Sequence, residues 1–176
     1  IKFNVASINR CTETEGPHKR LCIWFQGCDI HCNECCNPDY QPFVIRHIMS
    51  LDEIISVIKK SIDDFGIEGV TYSGGEPTCQ HNLPFLTDEI KKLGLGIISF
   101  TGRKYEDVSD VLAGIDLVLD GEYVLEEKET KRRLLGSENQ RILCLTDRYK
   151  NDISWFDIDK NGKSVEVNLS NRIVFN

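Results

Sequence analysis

The strongest constraint on the fold is a regular alternation of short apolar segments and amphipathic segments in the middle of the chain. Residues 69–72, 96–100 and 117–119 are predicted strands, and helices are predicted between them around residues 83–93 and 105–112. Strands that alternate with helices form a parallel sheet with right-handed crossover connections. We therefore predict an α/β fold, a partial, incomplete TIM-type barrel with parallel strands.

The first part of the chain adds two strands and one helix to this pattern. Strands are predicted at residues 3–8 and 21–25, and Ser50 and Glu53 have the spacing of a capping box at the start of a helix ending at Gly66. In parallel α/β sheets, ligands bind at the carboxyl ends of the strands. The residues that follow the predicted strands are Gly27-Cys28, Ser73-Gly74-Gly75-Glu76, Thr101-Gly102 and Asp120-Gly121.

The last part of the chain has a different character. We expect one domain over residues 1–176, with a core at about 1–148 and an appendage at about 149–176. Asn161-Gly162, between the apolar segments 155–158 and 165–167, predicts a C-terminal β-hairpin with a type I′ turn.

Charge and hydropathy narrow the classes of partner. The 176 residues carry a formal net charge of -7 at pH 7, whereas nucleic-acid binding needs clustered Lys and Arg, so no nucleic-acid partner is expected. No apolar run approaches the roughly 20 residues that span a bilayer. The first residues also lack the apolar core of a signal peptide. We therefore expect a cytoplasmic protein without a membrane partner.

Four of the eight cysteines lie within nine residues, from Cys28 to Cys36. Such crowding favours a metal site over a disulfide framework, because disulfide-rich scaffolds spread their cysteines along the chain. Cys28, Cys32 and Cys35 form a compact set that can bind three corners of an iron–sulfur cube and leave the fourth iron without a protein ligand. We predict a [4Fe–4S] cluster on these three residues.

Two alternatives for the loop stay open, a structural zinc site and a redox loop without metal. Structural zinc normally has four protein ligands, usually in two pairs far apart in the sequence, and no second pair is found. Cys36 and His31 are weak candidates for a fourth ligand. Each adjoins a predicted ligand, and neighbouring side chains of an extended segment point to opposite sides.

The segment Ser73-Gly74-Gly75-Glu76-Pro77 follows a predicted strand, and its glycines permit a close approach of the backbone to a ligand. Together with the three-cysteine loop, it resembles the radical S-adenosylmethionine superfamily. A closer resemblance, over about residues 15–143, is to the activating proteins of anaerobic (class III) ribonucleotide reductase. The blocks that carry it are Glu15-Gly16-Pro17 with Arg20, Trp24–Cys28, Cys35–Pro38, Thr101-Gly102, Val118–Tyr123 and Gly136–Arg141.

The resemblance implies an activity and its cofactors. In the superfamily the open iron binds the amino and carboxylate groups of S-adenosylmethionine, and one electron from the reduced cluster cleaves the cofactor into methionine and a 5′-deoxyadenosyl radical. The family passes this radical to a glycine of the large subunit of anaerobic ribonucleotide reductase, and a flavodoxin- or ferredoxin-type reductant is implied as the electron donor.

The resemblance also implies a set of site residues. Cys28, Cys32 and Cys35 would be the metal ligands and the catalytic residues. Ser137, Asn139 and Gln140 would close the site or face the partner, and a plain polar loop is the other interpretation of these three residues. The implied cofactor-binding residues are Glu34, Cys35, Cys36, Gly74, Gly75, Glu76, Thr101 and Asp120. For Asp120, a plain turn at Asp120-Gly121 is the other interpretation.

Some residues depart from the family pattern and leave other functions open. His18, Arg103 and Leu135 replace a glycine, an aromatic residue and an arginine of the family. The alternatives within enzymes are an activator of another glycyl-radical enzyme and a peptide-modifying radical enzyme. Outside enzymes they are an iron–sulfur electron carrier and a zinc-binding module.

Overall fold

The computed structural model describes residues 1–158, Glu166 and residues 172–173, and it shows a mixed α/β architecture organised around one sheet. The strands are β1 (Lys2–Thr12), β2 (Arg20–Phe25), β3 (His47–Ser50), β4 (Gly69–Gly74), β5 (Gly96–Thr101), β6 (Leu117–Asp120), β7 (Arg141–Cys144) and β8 (Arg172–Ile173). The helices are α1 (Leu51–Phe65), α2 (Leu83–Lys92) and α3 (Tyr105–Val108). Short 3-10 helices span Pro38–Tyr40, Pro77–Cys79, Leu125–Glu127 and Ile153–Phe156.

The centre of the sheet is parallel, as the alternating pattern predicts. β2, β4, β5 and β6 are adjacent and parallel in that order. The buried faces of α1 and α2 pack on the apolar strands, with side chains such as Ile58, Leu86, Val70 and Ile97 in one core cluster. Burial on both faces explains why the central strands are nearly continuous apolar runs.

The flanks of the sheet are antiparallel, so the prediction of parallel strands is wrong there. β1 pairs antiparallel with β2 and with β3, and β7 pairs antiparallel with β6. Only residues 13–19 connect β1 and β2, and a parallel crossover needs a dozen residues or more. The strand order, β3-β1-β2-β4-β5-β6-β7 with β8 beside β1, does not establish the partial barrel, which stays a prediction.

The start and end of α1 follow the sequence signals. Glu53 N–H donates to Ser50 Oγ at 3.2 Å, and Ser50 N–H donates to Glu53 Oε2 at 2.7 Å, which completes the predicted capping box. Gly66 ends the helix in the left-handed region with φ of 63°. No helix in the described part of the chain has the length and apolar character to cross a membrane.

The first arm of the predicted C-terminal hairpin is not a strand. Residues Ile153–Phe156 form a 3-10 helix instead, because Phe156 is buried in a second apolar cluster. The carbonyl of Phe156 accepts a hydrogen bond from Arg133 N–H at 2.7 Å, and the Arg133 guanidinium lies over the Trp155 ring. The predicted turn at Asn161-Gly162 and nearly all of the second arm lie outside the described residues.

A buried arginine closes the amino end of the parallel strands. Arg20 is fully buried and donates to Glu68 Oε2 at 3.0 Å and to the carbonyls of Pro17 and Val70 at 2.9 and 3.1 Å. Its guanidinium lies over the ring of Tyr149, whose hydroxyl donates to Glu68 at 2.9 Å. This end of the sheet is therefore bound together by charge-assisted hydrogen bonds.

Candidate functional site

A cavity of about 540 Å³ lies at the carboxyl ends of the parallel strands, where the sequence predicts the site. Residues from the cysteine loop and from the segments after β4, β5 and β6 line it. The predicted site residues found in its wall are Cys28, Cys32, Glu34, Cys35, Cys36, Gly74, Gly75, Glu76 and Thr101. Asp120 is not among the lining residues.

The glycine turn after β4 passes directly against the start of the cysteine loop. Gly75 N–H donates to Phe25 O and Glu76 N–H donates to Gly27 O, both at 2.9 Å. A Cβ at Gly75 would clash with the carbonyl oxygens of Gly27 and Tyr40. Glycine is therefore needed at position 75 for two backbone segments to meet at the cavity wall.

The carboxylate of Glu76 joins the ends of β4 and β5. It is 1% exposed and accepts four hydrogen bonds, from the hydroxyls of Thr78 (2.6 Å) and Thr101 (2.8 Å) and from the N–H groups of Thr78 (3.1 Å) and Gly102 (2.8 Å). Buried carboxylates require such compensation. The side chain of Glu76 is therefore used within the protein, to hold the shape of this wall.

The carboxylate of Asp120, at the end of β6, is also bound by other groups of the protein. It is 1% exposed, it forms an ion pair with Arg141, and its Oδ2 accepts a hydrogen bond from Tyr105 N–H at 2.8 Å. Arg141 also pairs with Glu106, and its guanidinium holds the pKa of Glu106 down at about 2. The carboxylate of Asp120 thus anchors α3 and β7 to the sheet.

The base of the cysteine loop is pinned by backbone hydrogen bonds. Gly27 N–H donates to Tyr40 O and Cys28 N–H donates to Gln41 O, both at 2.8 Å. Within the loop, His31 and Glu34 have φ of 55° and 54°, a region that non-glycine residues rarely adopt. Turns that contain left-handed residues can form backbone nests that bind anionic groups.

One of the three predicted ligand sulfurs accepts a backbone hydrogen bond. Asn37 N–H donates to Cys35 Sγ at 3.4 Å.

Burial raises the pKa of the Cys28 and Cys32 thiols and outweighs the smaller lowering by backbone N–H groups, those of Ile30 and His31 for Cys28 and that of Tyr123 for Cys32. The surroundings of these two thiols therefore favour the neutral form. A positively charged metal group is what stabilises such thiols as thiolates.

The donor set fits an iron–sulfur cube. Among the described residues, no three His, Cys, Asp or Glu side chains stand at the spacing of a single-ion site. A four-iron cube binds each thiolate at a different iron, so its ligands stand further apart than those of one ion. Three thiols that line one cavity wall are a donor set of the kind that iron–sulfur clusters bind.

Sequence reasoning missed several residues of the site. Arg103, noted above only as a departure from a family, pairs with Asp29 of the cysteine loop and donates from Nε to Thr78 Oγ1 at 3.0 Å. Tyr123, noted above only as the end of a block, lines the cavity. Arg141 lay in a recognised block, but its pairing with Asp120 depends on the antiparallel register of β6 and β7.

Comparison with known proteins places these features in context. Residues 14–143 match the family model described as "4Fe-4S single cluster domain". The chain is 28% identical over 158 residues to the anaerobic ribonucleoside-triphosphate reductase-activating protein of Enterobacteria phage T4, an alignment that covers 82% of this chain and 96% of that protein.

Two further similar proteins are pyruvate formate-lyase-activating enzymes. The one from Clostridium pasteurianum is 32% identical over 126 residues, covering 68% of this chain and 52% of the enzyme. The one from Staphylococcus aureus strain USA300 is 29% identical over 158 residues, covering 81% of this chain and 61% of the enzyme. The chain thus spans about half to three-fifths of these enzymes.

Among solved structures, a crystal structure of QueE from Escherichia coli matches with a TM-score of 0.45 and 21% sequence identity. The match covers 56% of this chain and 53% of that chain.

Proposed function

The chain belongs to the 4Fe-4S single cluster domain family, and on that premise we propose that it is a radical S-adenosylmethionine activating enzyme for an anaerobic ribonucleotide reductase. The family match confirms the predicted [4Fe–4S] cofactor, and S-adenosylmethionine is the second cofactor of the relatives' chemistry. The observation that carries the proposal is the meeting of Cys28, Cys32 and Cys35 with the Gly74–Glu76 turn in one cavity.

The cofactors supply the reactive chemistry and the chain supplies the surroundings. The reduced cluster would supply one electron for the reductive cleavage of S-adenosylmethionine, and that cleavage would supply the oxidising power to remove a hydrogen atom from a glycine of the partner. Cys28, Cys32 and Cys35 are the proposed ligands. These three thiols would hold the cluster, and because they are fewer than its four irons, the chain would leave one iron available to the second cofactor.

The rest of the cavity wall binds and encloses the second cofactor. Its volume of about 540 Å³ lies within the range of ordinary small-molecule sites. The Gly74–Glu76 turn brings backbone groups to the wall, and the carboxylate of Glu76 keeps that turn in place. Apolar side chains, among them Ile30, Leu134 and Leu135, line other parts of the wall and exclude water.

The reductase is favoured as the partner because of the extent of the similarity. The alignment covers 96% of the phage reductase-activating protein but only 52% and 61% of the two lyase-activating enzymes. Activation of a lyase of that second kind is the other candidate function, supported by the 32% identity to the clostridial enzyme. A flavodoxin- or ferredoxin-type protein is the proposed reductant.

The proposed chemistry is tested by anaerobic reconstitution with iron and sulfide, reduction, and measurement of 5′-deoxyadenosine released from S-adenosylmethionine. Cys32→Ala is expected to reduce the release to background, because only two ligands of the cluster remain. Cys144→Ala is the matched control, since Cys144 is an exposed thiol on β7 and does not line the cavity. Cleavage that survives in Cys32→Ala at the wild-type rate contradicts the ligand assignment.

The partner is tested by electron paramagnetic resonance. The reduced enzyme and S-adenosylmethionine are incubated with the large subunit of an anaerobic ribonucleotide reductase and, separately, with pyruvate formate-lyase. A glycyl radical signal on the reductase alone supports the first candidate. A signal on the lyase alone overturns it in favour of the second, and no signal on either, despite cofactor cleavage, overturns both.

A further inference from the structure

The guanidinium of Arg103 lies between two carboxylates that belong to different parts of the molecule. Its Nη2 pairs with Asp29, in the cysteine loop, and its Nε donates to Thr78 Oγ1 at 3.0 Å. The hydroxyl of Thr78 donates in turn to Glu76 Oε1 at 2.6 Å. A continuous chain of hydrogen bonds therefore runs from the cysteine loop, through Arg103, to the buried carboxylate of the glycine turn.

The backbone of Arg103 is fixed to the ends of two strands. Arg103 N–H donates to Thr101 Oγ1 at 3.1 Å, and Arg103 O accepts a hydrogen bond from Gly121 N–H at 3.1 Å. Thr101 is the last residue of β5, and Gly121 directly follows β6. The side chain therefore extends from a backbone that the sheet holds, and it ties the cysteine loop to that sheet.

The tie reaches the loop beside a proposed cluster ligand. Asp29 directly follows Cys28 in the chain. The next side chain, that of Ile30, lies against Gly102, since a Cβ at this glycine would stand 2.6 Å from Ile30 Cδ1. Neither Asp29 nor Arg103 lines the cavity, so their ion pair acts on the site from outside.

We propose that Arg103 is a positioning residue, which sets the separation between Cys28 and the Gly74–Glu76 turn. It does so by binding Asp29 and Thr78 at the same time. The inference rests on the proposed function, because it takes Cys28 as a cluster ligand and the turn as a binding place of S-adenosylmethionine. A reaction between two bound groups depends on their relative placement, and a shift of about 1 Å can lower its rate on the order of 100-fold.

The proposal needs the shape of an arginine and not only its charge. The guanidinium is a planar fork, and its Nη2 and Nε are separate donors that serve acceptors from two different segments. A lysine has one nitrogen on a flexible stem, so it keeps the charge but does not hold both acceptors at fixed places. Arg103→Lys and Arg103→Gln should therefore affect the reaction in the same way.

The test measures kcat and KM for cleavage of S-adenosylmethionine in the wild type, Arg103→Gln and Arg103→Lys, after reconstitution with iron and sulfide. Both variants are expected to bind the wild-type amount of iron and to show a kcat about ten-fold lower, with little change in KM. The three thiols and the glycine turn are intact in these variants. Binding therefore survives, and only the placement of the two cofactors for the reaction is lost.

A second readout does not depend on turnover. The electron paramagnetic resonance spectrum of the reduced cluster is recorded without and with S-adenosylmethionine. One fixed placement of the two cofactors gives one sharp spectrum of the complex, whereas a loosened loop gives a distribution of placements. Arg103→Gln is therefore expected to broaden the spectrum of the complex.

The matched control is Arg148→Gln. The side chain of Arg148 is 33% exposed and that of Arg103 is 31% exposed, and each forms an ion pair with a carboxylate. Arg148 donates from Nε to Glu68 Oε1 at 2.8 Å, at the amino end of the parallel strands and away from the cavity. Its variant is expected to keep the wild-type kcat and the wild-type spectrum.

The other member of the pair supplies an independent variant. Asp29→Asn keeps the shape of an exposed side chain and removes its charge, so it weakens the same tie without a change at Arg103. If Arg103 acts through Asp29, the double variant Arg103→Gln/Asp29→Asn loses no more kcat than Arg103→Gln alone. Should Arg103→Gln fail to bind iron, Asp29→Asn decides the matter through the same two measurements.

The outcomes separate the two proposals. A wild-type kcat and spectrum in both Arg103→Gln and Asp29→Asn overturn the positioning role and leave the enzymatic function intact. Full recovery in Arg103→Lys, a raised KM with unchanged kcat, or an equal loss in Arg148→Gln also overturns the positioning role. A wild-type protein that forms the cluster but cleaves no S-adenosylmethionine overturns the function and the inference together.

Discussion

The two walls of the cavity are built in opposite ways. The strand-end wall is complete within the protein, since Glu76 is buried and each of its carboxylate oxygens has donors. The cysteine wall is partly exposed: Cys32 and Cys35 are half-buried, Cys36 is exposed, and two residues of the loop lie in the left-handed region. The comparison teaches that the sheet fixes one half of the site through internal hydrogen bonds, whereas the other half keeps its thiols partly exposed.

The largest effect is expected where the two walls touch. Gly75→Ala places a methyl group against the carbonyls of Gly27 and Tyr40, which are backbone atoms and cannot move cheaply. We expect a loss of about 3 kcal/mol in the free energy of unfolding, measured by chemical denaturation, together with loss of bound iron. Gly66→Ala is the control, because a Cβ at position 66 meets no atom within 4 Å. Its left-handed backbone is expected to lower the free energy of unfolding by only about 1 kcal/mol.

That comparison fails if the two alanine variants lose the same stability and both retain iron after reconstitution. The walls would then meet less closely than the hydrogen bonds from Gly75 and Glu76 to Phe25 and Gly27 indicate.

A smaller effect is expected inside the strand-end wall. Glu76→Gln keeps the shape of the side chain but turns an amide N–H₂ toward groups that donate hydrogen bonds, so a buried donor loses its acceptor. The expected cost is about 2 kcal/mol in the free energy of unfolding. A double-mutant cycle with Thr101→Val measures the coupling across the 2.8 Å hydrogen bond, and a coupling energy near zero would show that the wall does not depend on it.

Glu15 is a carboxylic acid on the cysteine side of the cavity, as Glu76 is on the strand-end side. It lines the cavity, and burial, with a second contribution from the charge of Glu166, raises its pKa to about 7. Between the ordinary pKa near 4.5 and about 7, the folded state keeps a proton that the unfolded state has released. The stability of the wild type therefore falls as the pH rises through this window and is level above it.

Glu15→Gln removes this titration, so its unfolding free energy is expected to change less between pH 5 and 7 than that of the wild type. One pKa unit corresponds to about 1.4 kcal/mol, and the partial exposure of Glu15 reduces the difference to the order of 1 kcal/mol. If the unfolding free energies of the two proteins change equally over this range, the protein compensates the charge of the Glu15 carboxylate as fully as it does that of Glu76.

The smallest change in stability is expected from the side-chain bridge between the walls. Arg103→Gln breaks the ion pair with Asp29, and partly exposed pairs contribute less than about 1 kcal/mol. Hydrogen exchange of residues 29–36 is expected to become several-fold faster, because the loop loses its tie to Thr78 and the end of β5. Lys92→Gln, which breaks an exposed pair on α2, serves as the control and should leave the exchange of the loop unchanged.

The sequence predicts those elements that are determined by residues close to one another in the chain. The alternating pattern located β4, β5 and β6, and the capping box located the start of α1, because periodicity and caps act within a few residues. The edge strands β3 and β7 escaped prediction. Each is four residues long, and their pairing partners are set by tertiary contacts.

The candidate site divides in the same way. The sequence predicts the cysteine loop and the glycine turn as parts of the site, and residues of both line the cavity. The sequence does not predict the ion pair between Asp120 and Arg141, because that pair depends on the antiparallel pairing of β6 and β7. The left-handed conformations of His31 and Glu34 were equally hidden, since neither residue type signals them as glycine does.

The buried guanidinium of Arg20 has a consequence for how such a protein can diverge. It binds its own segment at Pro17 to residues 68–70 and to Gly96, so it joins three segments at the amino end of the sheet, opposite the cavity. The loops at the cavity end can therefore change in sequence while the framework at the other end of the sheet is kept.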